Sequence, residues 1–243
     1  MICKFAGFFV DVSPIYDYTK FMVEKFRFNG SIPKDAEIIS VGKNYTEQTY
    51  KDYLQVYPQL TIEEAEHIYL SGDLFRKIID FGAIILHSSA IKYGDKCYLF
   101  SAPTGTGKST HTSLWEKLYG NKVRIINDDK PILKYKKGKI IAYGTPFAGG
   151  THKFFDENGE VDAIIFIERS AENSIKEITA KEAIPLIFQE TVKKLGADRM
   201  NIFLDMIEKI CKNVRLFKLY CNMEESSAVL AHNTLIKDDI NEG

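Results

Sequence analysis

The stretch "APTGTGKST", residues 102–110, constrains the fold of this chain more than any other. An apolar run typical of a β-strand precedes it, and a segment typical of a helix follows. Gly105 and Gly107 can adopt backbone conformations denied to residues with a Cβ, so consecutive N–H groups can point inward. The helix that follows adds its positive N-terminal end. This pattern predicts a loop that binds the phosphates of a nucleotide; the alternative is a glycine-rich turn with a lysine and a serine by chance.

The lysine and the hydroxyl groups of this loop have distinct predicted roles. Lys108 supplies a mobile cation for the β- and γ-phosphates, and the Ser109 hydroxyl is placed to ligate Mg²⁺. The predicted nucleotide-binding residues are Thr104, Gly105, Thr106, Gly107, Lys108, Ser109 and Thr110.

The segment that leads into the loop predicts an unusual sheet. "AIILHSSAIKY" (83–93), "GDK" (94–96) and "CYLFSAP" (97–103) read as strand, turn and strand. The loop is therefore entered from an antiparallel hairpin, whereas in a doubly wound nucleotide-binding fold it follows a strand of a parallel sheet. This order predicts an α/β protein with a mixed sheet.

Two adjacent carboxylates are predicted at the end of another strand. In "VRIINDDKPIL" (123–133), a short apolar strand ends at Asp128 and Asp129. Acids at the end of a buried strand are costly unless they hold a cation or move a proton. Because side chains alternate along a strand, one can hold Mg²⁺ while the other acts as general base. The alternative is a polar turn, since Asn, Asp and Pro are turn residues.

His87 is the candidate histidine of the site. It lies in "LHSSA" (86–90), on the first predicted strand of the hairpin, which keeps it near the loop as a phosphate contact or proton partner. Arg169, at the end of the predicted strand "VDAIIFIER" (161–169), is a further candidate. The other histidines are expected to be structural: His67, His111, His152 and His232.

A shaped loop is predicted at "YGTPFAGGTHK", residues 143–153, where glycine and proline are frequent. Thr145, Thr151 and Lys153 are candidates for binding an anionic or polar substrate. The alternative is a surface turn.

Composition excludes several classes of function. The 243 residues suit one large domain, or one domain with an appendage. The net charge of −1 gives no excess of positive charge of the kind that binds nucleic acid or an anionic membrane. No apolar run is long enough to span a bilayer, and Asp11 interrupts the N-terminal one, so a strand is expected there and not a signal peptide. The four cysteines lack metal-binding spacing and are expected to be reduced thiols of a cytoplasmic protein. The expected division is an N-terminal α+β extension (1–80) packed on a nucleotide-binding core (81–243).

The order of these motifs resembles the HPr kinase / phosphoenolpyruvate carboxykinase superfamily, and most of all its short HPr serine kinase-like members. "HSSA" (87–90), "SAPTGTGKST" (101–110), "INDDKPIL" (126–133) and "YGTPFAGG" (143–150) carry the resemblance. It implies a mixed-sheet core with the phosphate loop after a hairpin, flanking helices, and ATP and Mg²⁺ as cofactors. It further implies that Lys108 contacts phosphates, Ser109 and Asp129 hold Mg²⁺, Asp128 is the acid–base group and His87 is a site histidine.

These observations predict an ATP-dependent kinase whose catalytic residues are Asp128, His87 and Lys108. The acceptor is expected to be a serine-type hydroxyl of a small molecule, peptide or protein. No counterpart of the glycine-rich signature of true HPr kinase/phosphorylases follows the site, so HPr itself is not predicted as substrate. A nucleotide-gated binding module with little turnover and a carboxykinase-like lyase are the alternatives. The expected partners are a nucleotide and the acceptor, without nucleic acid or membrane, and a homo-oligomer stays open.

Overall fold

Two β-sheets and seven α-helices make up the part of the chain that the computed structural model describes, residues 1–191 and 195–236. The strands are β1 (Ile2–Phe5), β2 (Phe8–Val12), β3 (Ile38–Val41), β4 (Ala83–Ile85), β5 (Ser88–Tyr93), β6 (Lys96–Ser101), β7 (Val123–Asn127), β8 (Ile132–Lys136), β9 (Lys139–Tyr143), β10 (Asn158–Arg169), β11 (Ser174–Glu177) and β12 (Arg215–Cys221). The helices are α1 (Asp17–Glu24), α2 (Glu47–Val56), α3 (Ile62–Ile78), α4 (Lys108–Tyr119), α5 (Ala180–Gln189), α6 (Ala197–Asn213) and α7 (Glu225–Leu235). None of the described helices has both the length and the apolarity to cross a bilayer.

A small three-stranded sheet and three helices form the N-terminal layer, residues 1–78. β1 and β2 pair antiparallel, and β3 runs parallel to β2. Helix α3 begins directly after Thr61, because the side chains of Thr61 and Glu64 each bond the other's backbone N–H in a capping box, a pattern that can be read from the sequence.

The N-terminal layer shares its hydrophobic core with the rest of the chain. Leu70, Leu74 and Ile78 of α3 belong to the same buried cluster as Val10 of β2 and Phe147, which follows β9. The division into residues 1–80 and 81–243 stays a prediction, and residues 192–194 and 237–243 of the second part lie outside the described residues.

The large sheet is mixed, as the sequence predicts. Its order is β4-β8-β9-β10-β6-β5-β7, and β12 pairs with both β10 and β11. β10 runs parallel to β6 and β12 but antiparallel to β9. Leu99 and Ile164 face the cluster of α5 and α6, whereas their neighbours Phe100 and Ile165 face the cluster of α4 and α7. The central strands are therefore buried on both faces, which explains their continuous apolar runs.

The hairpin before the glycine-rich loop is confirmed, but its first strand is not continuous. β5 and β6 pair antiparallel from Ser88↔Ser101 to Tyr93↔Lys96. β4 pairs with β8 instead, so the chain changes partner between Ile85 and Ser88. The sequence predicts His87 on a strand, but His87 lies in the short connection between β4 and β5, outside the hydrogen-bonded pairs of either strand.

Strand direction brings the ends of several elements to one edge of the sheet. β6 and β7 are both antiparallel to β5 and thus run the same way, as does β10. The carboxyl ends of these three strands and the amino end of β5 therefore meet at one edge. In open α/β sheets, this is the edge at which ligands bind.

Candidate active site

The glycine-rich loop joins β6 to α4 at this edge. Gly105 and Gly107 have φ of +80° and +116°, as expected of a loop that needs left-handed backbone. Gly107 is the N-cap of α4 and gives its first turn no side-chain cap. The first N–H groups of a helix cannot bond within it, so those of α4 point into the loop and can bind an anion.

Arg169, the further candidate from the sequence, binds the backbone of the loop. From the end of β10, its guanidinium donates to the carbonyl oxygens of Gly105 at 2.6 Å and Thr106 at 3.0 Å. The loop carbonyls are thereby turned towards Arg169.

Lys108 lies beneath the loop and is only 7% exposed. Its ammonium group donates to the carbonyl oxygen of Ala102 at 2.7 Å. Burial lowers the pKa of Lys108, and the nearby carboxylates of Asp129, Glu190 and Asp128 oppose that shift. The amine is thus held by one neutral acceptor and faces a group of acids.

Asp128 and Asp129 follow β7, as predicted, and their carboxylates have different partners. Asp128 is 2% exposed and accepts hydrogen bonds from the N–H of Gly149 at 2.7 Å and from the Thr151 hydroxyl. Burial raises the pKa of Asp128, although both hydrogen bonds oppose this. Asp129 faces the Nε2 of His87 at 2.9 Å and the amine of Lys130 at 3.3 Å. Burial alone would raise the pKa of Asp129, but its hydrogen bond with His87 and the charge of Lys130 outweigh burial and hold the pKa well below its usual range.

His87 bridges two carboxylates. Its Nδ1 lies 2.7 Å from Glu190 Oε2, and its backbone N–H donates to the Glu190 carbonyl oxygen at 2.9 Å. Burial lowers the pKa of the imidazole, yet its hydrogen bonds with Asp129 and Glu190 outweigh burial and leave the pKa raised. Glu190 ends α5 and was not predicted, because nothing in "FQETV" (188–192) distinguishes this glutamate from a solvent-exposed one.

Nine of the predicted site residues line one cleft of about 750 Å³. Its lining includes the loop and start of α4, the strand-end acids and His87, namely Thr104, Gly105, Gly107, Lys108, Ser109, Thr110, Asp128, Asp129 and His87. The opposite wall comes from the N-terminal layer and includes Tyr18, Glu64 and His67. Thr106 lines a second cavity, of about 480 Å³, on the other side of the loop.

The three candidate substrate residues are placed differently from one another. Thr145 is fully buried and its hydroxyl donates to the Lys130 carbonyl oxygen at 2.9 Å, so the side chain holds the backbone beside the acids and does not line the cleft. Thr151 donates to Asp128 and does not line the cleft either. Lys153 forms an ion pair with Glu116 of α4 and is likewise absent from the cleft wall.

Oxygen ligands for a metal are few but suitable in kind. Ser109 and Asp129 both line the cleft. Residues 1–191 and 195–236 contain no cluster of three or more His, Cys, Asp or Glu arranged to hold a metal. Mg²⁺ bound together with a nucleotide needs only one or two protein oxygens, because phosphates and water supply the rest.

Fold and site together define an α/β protein with a mixed sheet and a glycine-rich loop that faces strand-end acids across a cleft. No family model and no curated protein matches the chain. A solved structure of the Hpr(Ser) kinase/phosphatase from Coxiella burnetii is similar over 62% of this chain and 95% of that chain, at 11% sequence identity and a TM-score of 0.36. A likeness of this size transfers no residue role and no activity, so the family resemblance of the motifs stays a prediction.

Proposed function

We propose that the protein is an ATP-dependent kinase that transfers the γ-phosphoryl group of ATP to a hydroxyl of a small molecule, peptide or protein. One observation carries the proposal: the glycine-rich loop, the uncapped start of α4 and two strand-end acids line the same cleft. Phosphoryl transfer needs positioning and charge stabilisation more than covalent chemistry, and these are the groups that provide them.

The loop residues Thr104–Thr110 bind the phosphates. The N–H groups at the start of α4 and the ammonium group of Lys108 are the donors, and Lys108 exchanges its bond to the Ala102 carbonyl for a phosphate oxygen. Ser109 and Asp129 hold Mg²⁺, which neutralises charge on the phosphates. His87 and Lys130 keep the Asp129 carboxylate ionised and oriented for this task.

Asp128 receives the proton of the acceptor. Its oxygens are held by two neutral donors, Gly149 N–H and the Thr151 hydroxyl, and no cation of residues 1–191 or 195–236 forms an ion pair with them that would compete for the incoming proton. As the acceptor oxygen bonds to the γ-phosphorus, its proton passes to Asp128 and the bond to the β-phosphate oxygen breaks, releasing ADP.

Nucleotide binding is tested first with the non-hydrolysable analogue AMP-PNP and Mg²⁺. The melting temperature of the wild type should rise, because a ligand that binds only the native state stabilises it. Lys108→Ala should lose most of this rise. Lys117→Ala is the matched control, since Lys117 lies on the same helix, is exposed and forms an ion pair with Glu225, outside the cleft. Equal shifts in Lys108→Ala and Lys117→Ala would refute nucleotide binding by the loop.

Catalysis is tested with Asp128→Asn and Asp129→Asn in a phosphotransfer screen of hydroxyl-bearing metabolites and peptides. Asp129→Asn should weaken binding of the Mg²⁺–nucleotide, with partial recovery at higher Mg²⁺. Asp128→Asn should bind normally but lose turnover by a factor of about 10² to 10⁴, as expected for a general base. If wild type binds nucleotide and transfers phosphate to nothing, a nucleotide-gated binding module becomes the better account.

A further inference from the structure

His67 is a buried histidine of the N-terminal layer that reaches the cleft. It lies in α3, is 6% exposed, and its Nε2 is 3.1 Å from the carbonyl oxygen of Ala148. A carbonyl oxygen can only accept, so Nε2 carries the proton and donates it. Burial lowers the pKa of His67 to about 4, which keeps the ring neutral near pH 7. The buried Nδ1 makes no hydrogen bond with any of the described residues.

The peptide unit that His67 contacts is also the one that contacts Asp128. The oxygen of Ala148 and the N–H of Gly149 belong to one planar amide. That N–H donates to Asp128 Oδ1 at 2.7 Å. A donor on the oxygen of an amide polarises its N–H and strengthens the second bond. One amide plane therefore links His67 to Asp128.

Aromatic neighbours fix the orientation of the His67 ring. Tyr18 of α1 packs edge-on against it, with ring centroids 5.5 Å apart, and Phe147 lies at 5.3 Å on another side. The ring is thus held so that Nε2 faces the Ala148 carbonyl.

We propose that His67 is a positioning residue for Asp128, acting through the Ala148–Gly149 peptide. The inference rests on the proposed function, in which Asp128 receives the acceptor's proton. Gly149 holds Oδ1 and Thr151 holds Oδ2. Among the described residues, His67 is the side chain that bonds the oxygen of this peptide, so its loss removes that restraint on the Gly149 N–H. The N-terminal layer thereby becomes part of the active site and not only a packing partner.

The structural link is tested by NMR of the Gly149 amide in full-length protein. His67→Phe removes the donor but keeps a ring between Tyr18 and Phe147, and His67→Gln keeps a side-chain N–H. The amide proton of Gly149 should move upfield in His67→Phe, as its bond to the carboxylate weakens, and return most of the way in His67→Gln. An unchanged Gly149 resonance in His67→Phe overturns the inference; His67→Leu replaces that variant if it does not fold.

The functional link is tested by phosphate release from Mg²⁺–ATP, with water as the acceptor. His67→Phe should lower kcat about fivefold to tenfold, the usual worth of one hydrogen bond, with KM for ATP unchanged and most activity restored in His67→Gln. His232→Phe, the same change on α7 where the ring stacks on Tyr119, is the control and should keep wild-type kcat. Equal kcat in His67→Phe and wild type overturns the inference. A wild type that binds no nucleotide overturns the proposed function instead, and the Gly149 resonance still decides the role of His67.

Discussion

Acid should destabilise this protein through His111, a buried histidine of α4. The side chain is 2% exposed, and its Nε2 accepts the indole N–H of Trp115 at 3.2 Å. Burial lowers the pKa of His111 from 6.5 to about 4. The native state therefore binds fewer protons than the unfolded chain between these two pH values, and stability is lost as the pH falls through that window.

The size of the effect follows from the two pKa values. At pH 5 almost every unfolded chain carries the proton on His111 and few native molecules do. Relative to pH 7, the free energy of unfolding should fall by about 2 kcal/mol from this residue alone. Solvent screening does not reduce this free-energy difference, because the His111 side chain is buried. Burial also lowers the pKa of His67 to about 4, so His67 likewise lowers the free energy of unfolding as the pH falls.

The assay is urea unfolding at pH 7 and pH 5, followed by the fluorescence of Trp115, the only tryptophan of the chain. His111→Gln keeps an acceptor for the indole N–H but cannot be protonated. Its loss of stability between the two pH values should be smaller than that of the wild type by about 2 kcal/mol. The m-value should be the same in both, which shows that the surface exposed on unfolding is unchanged. If both proteins lose equal stability, the buried neutral histidine is not the cause and the reasoning fails.

Two further predictions concern the loop and the cluster around His87. Gly107→Ala should weaken AMP-PNP binding more than Gly105→Ala in calorimetric titrations. The φ of Gly107, +116°, lies farther from the left-handed region that alanine can adopt than the +80° of Gly105, and such backbone strain costs about 1–3 kcal/mol. Equal affinities would contradict this. Glu190→Ala should lower the free energy of unfolding by about 1.5–3 kcal/mol, which is the contribution of one hydrogen bond to a charged group. The loss should not be larger, because Asp129 still pairs with His87. An unchanged urea midpoint would show that Glu190 contributes nothing.

Local patterns account for the parts of the fold that the sequence predicts well. The capping box at Thr61, the hairpin turn at Gly94 and the acids after an apolar strand are each set by residues within a few positions of one another. The interruption at His87 is not local, since it arises from β4 pairing with β8 and β5 with β6. Alternation and propensity describe one strand at a time and cannot reveal a change of partner.

The candidate site divides in the same way. The glycine-rich loop and the two aspartates can be predicted from the sequence, because their chemistry requires particular residue types at fixed spacing. Thr145 has a suitable side chain for a substrate contact, but tertiary structure buries it beneath Lys130. Glu190 and His67 carry no local signal at all, because each acquires its role only from a partner far away in the chain.

The two aspartates show why such partners matter. Asp128 and Asp129 are neighbours in sequence and leave the same strand, yet different parts of the fold support them. The N-terminal layer reaches Asp128 through His67 and the Ala148–Gly149 peptide. Helix α5 reaches Asp129 through Glu190 and His87. A strand end can display two acids, but it cannot by itself give them different surroundings. In this protein, the difference comes from packing two separate elements against one edge of the sheet, and the proposed division between a base and a metal ligand depends on it.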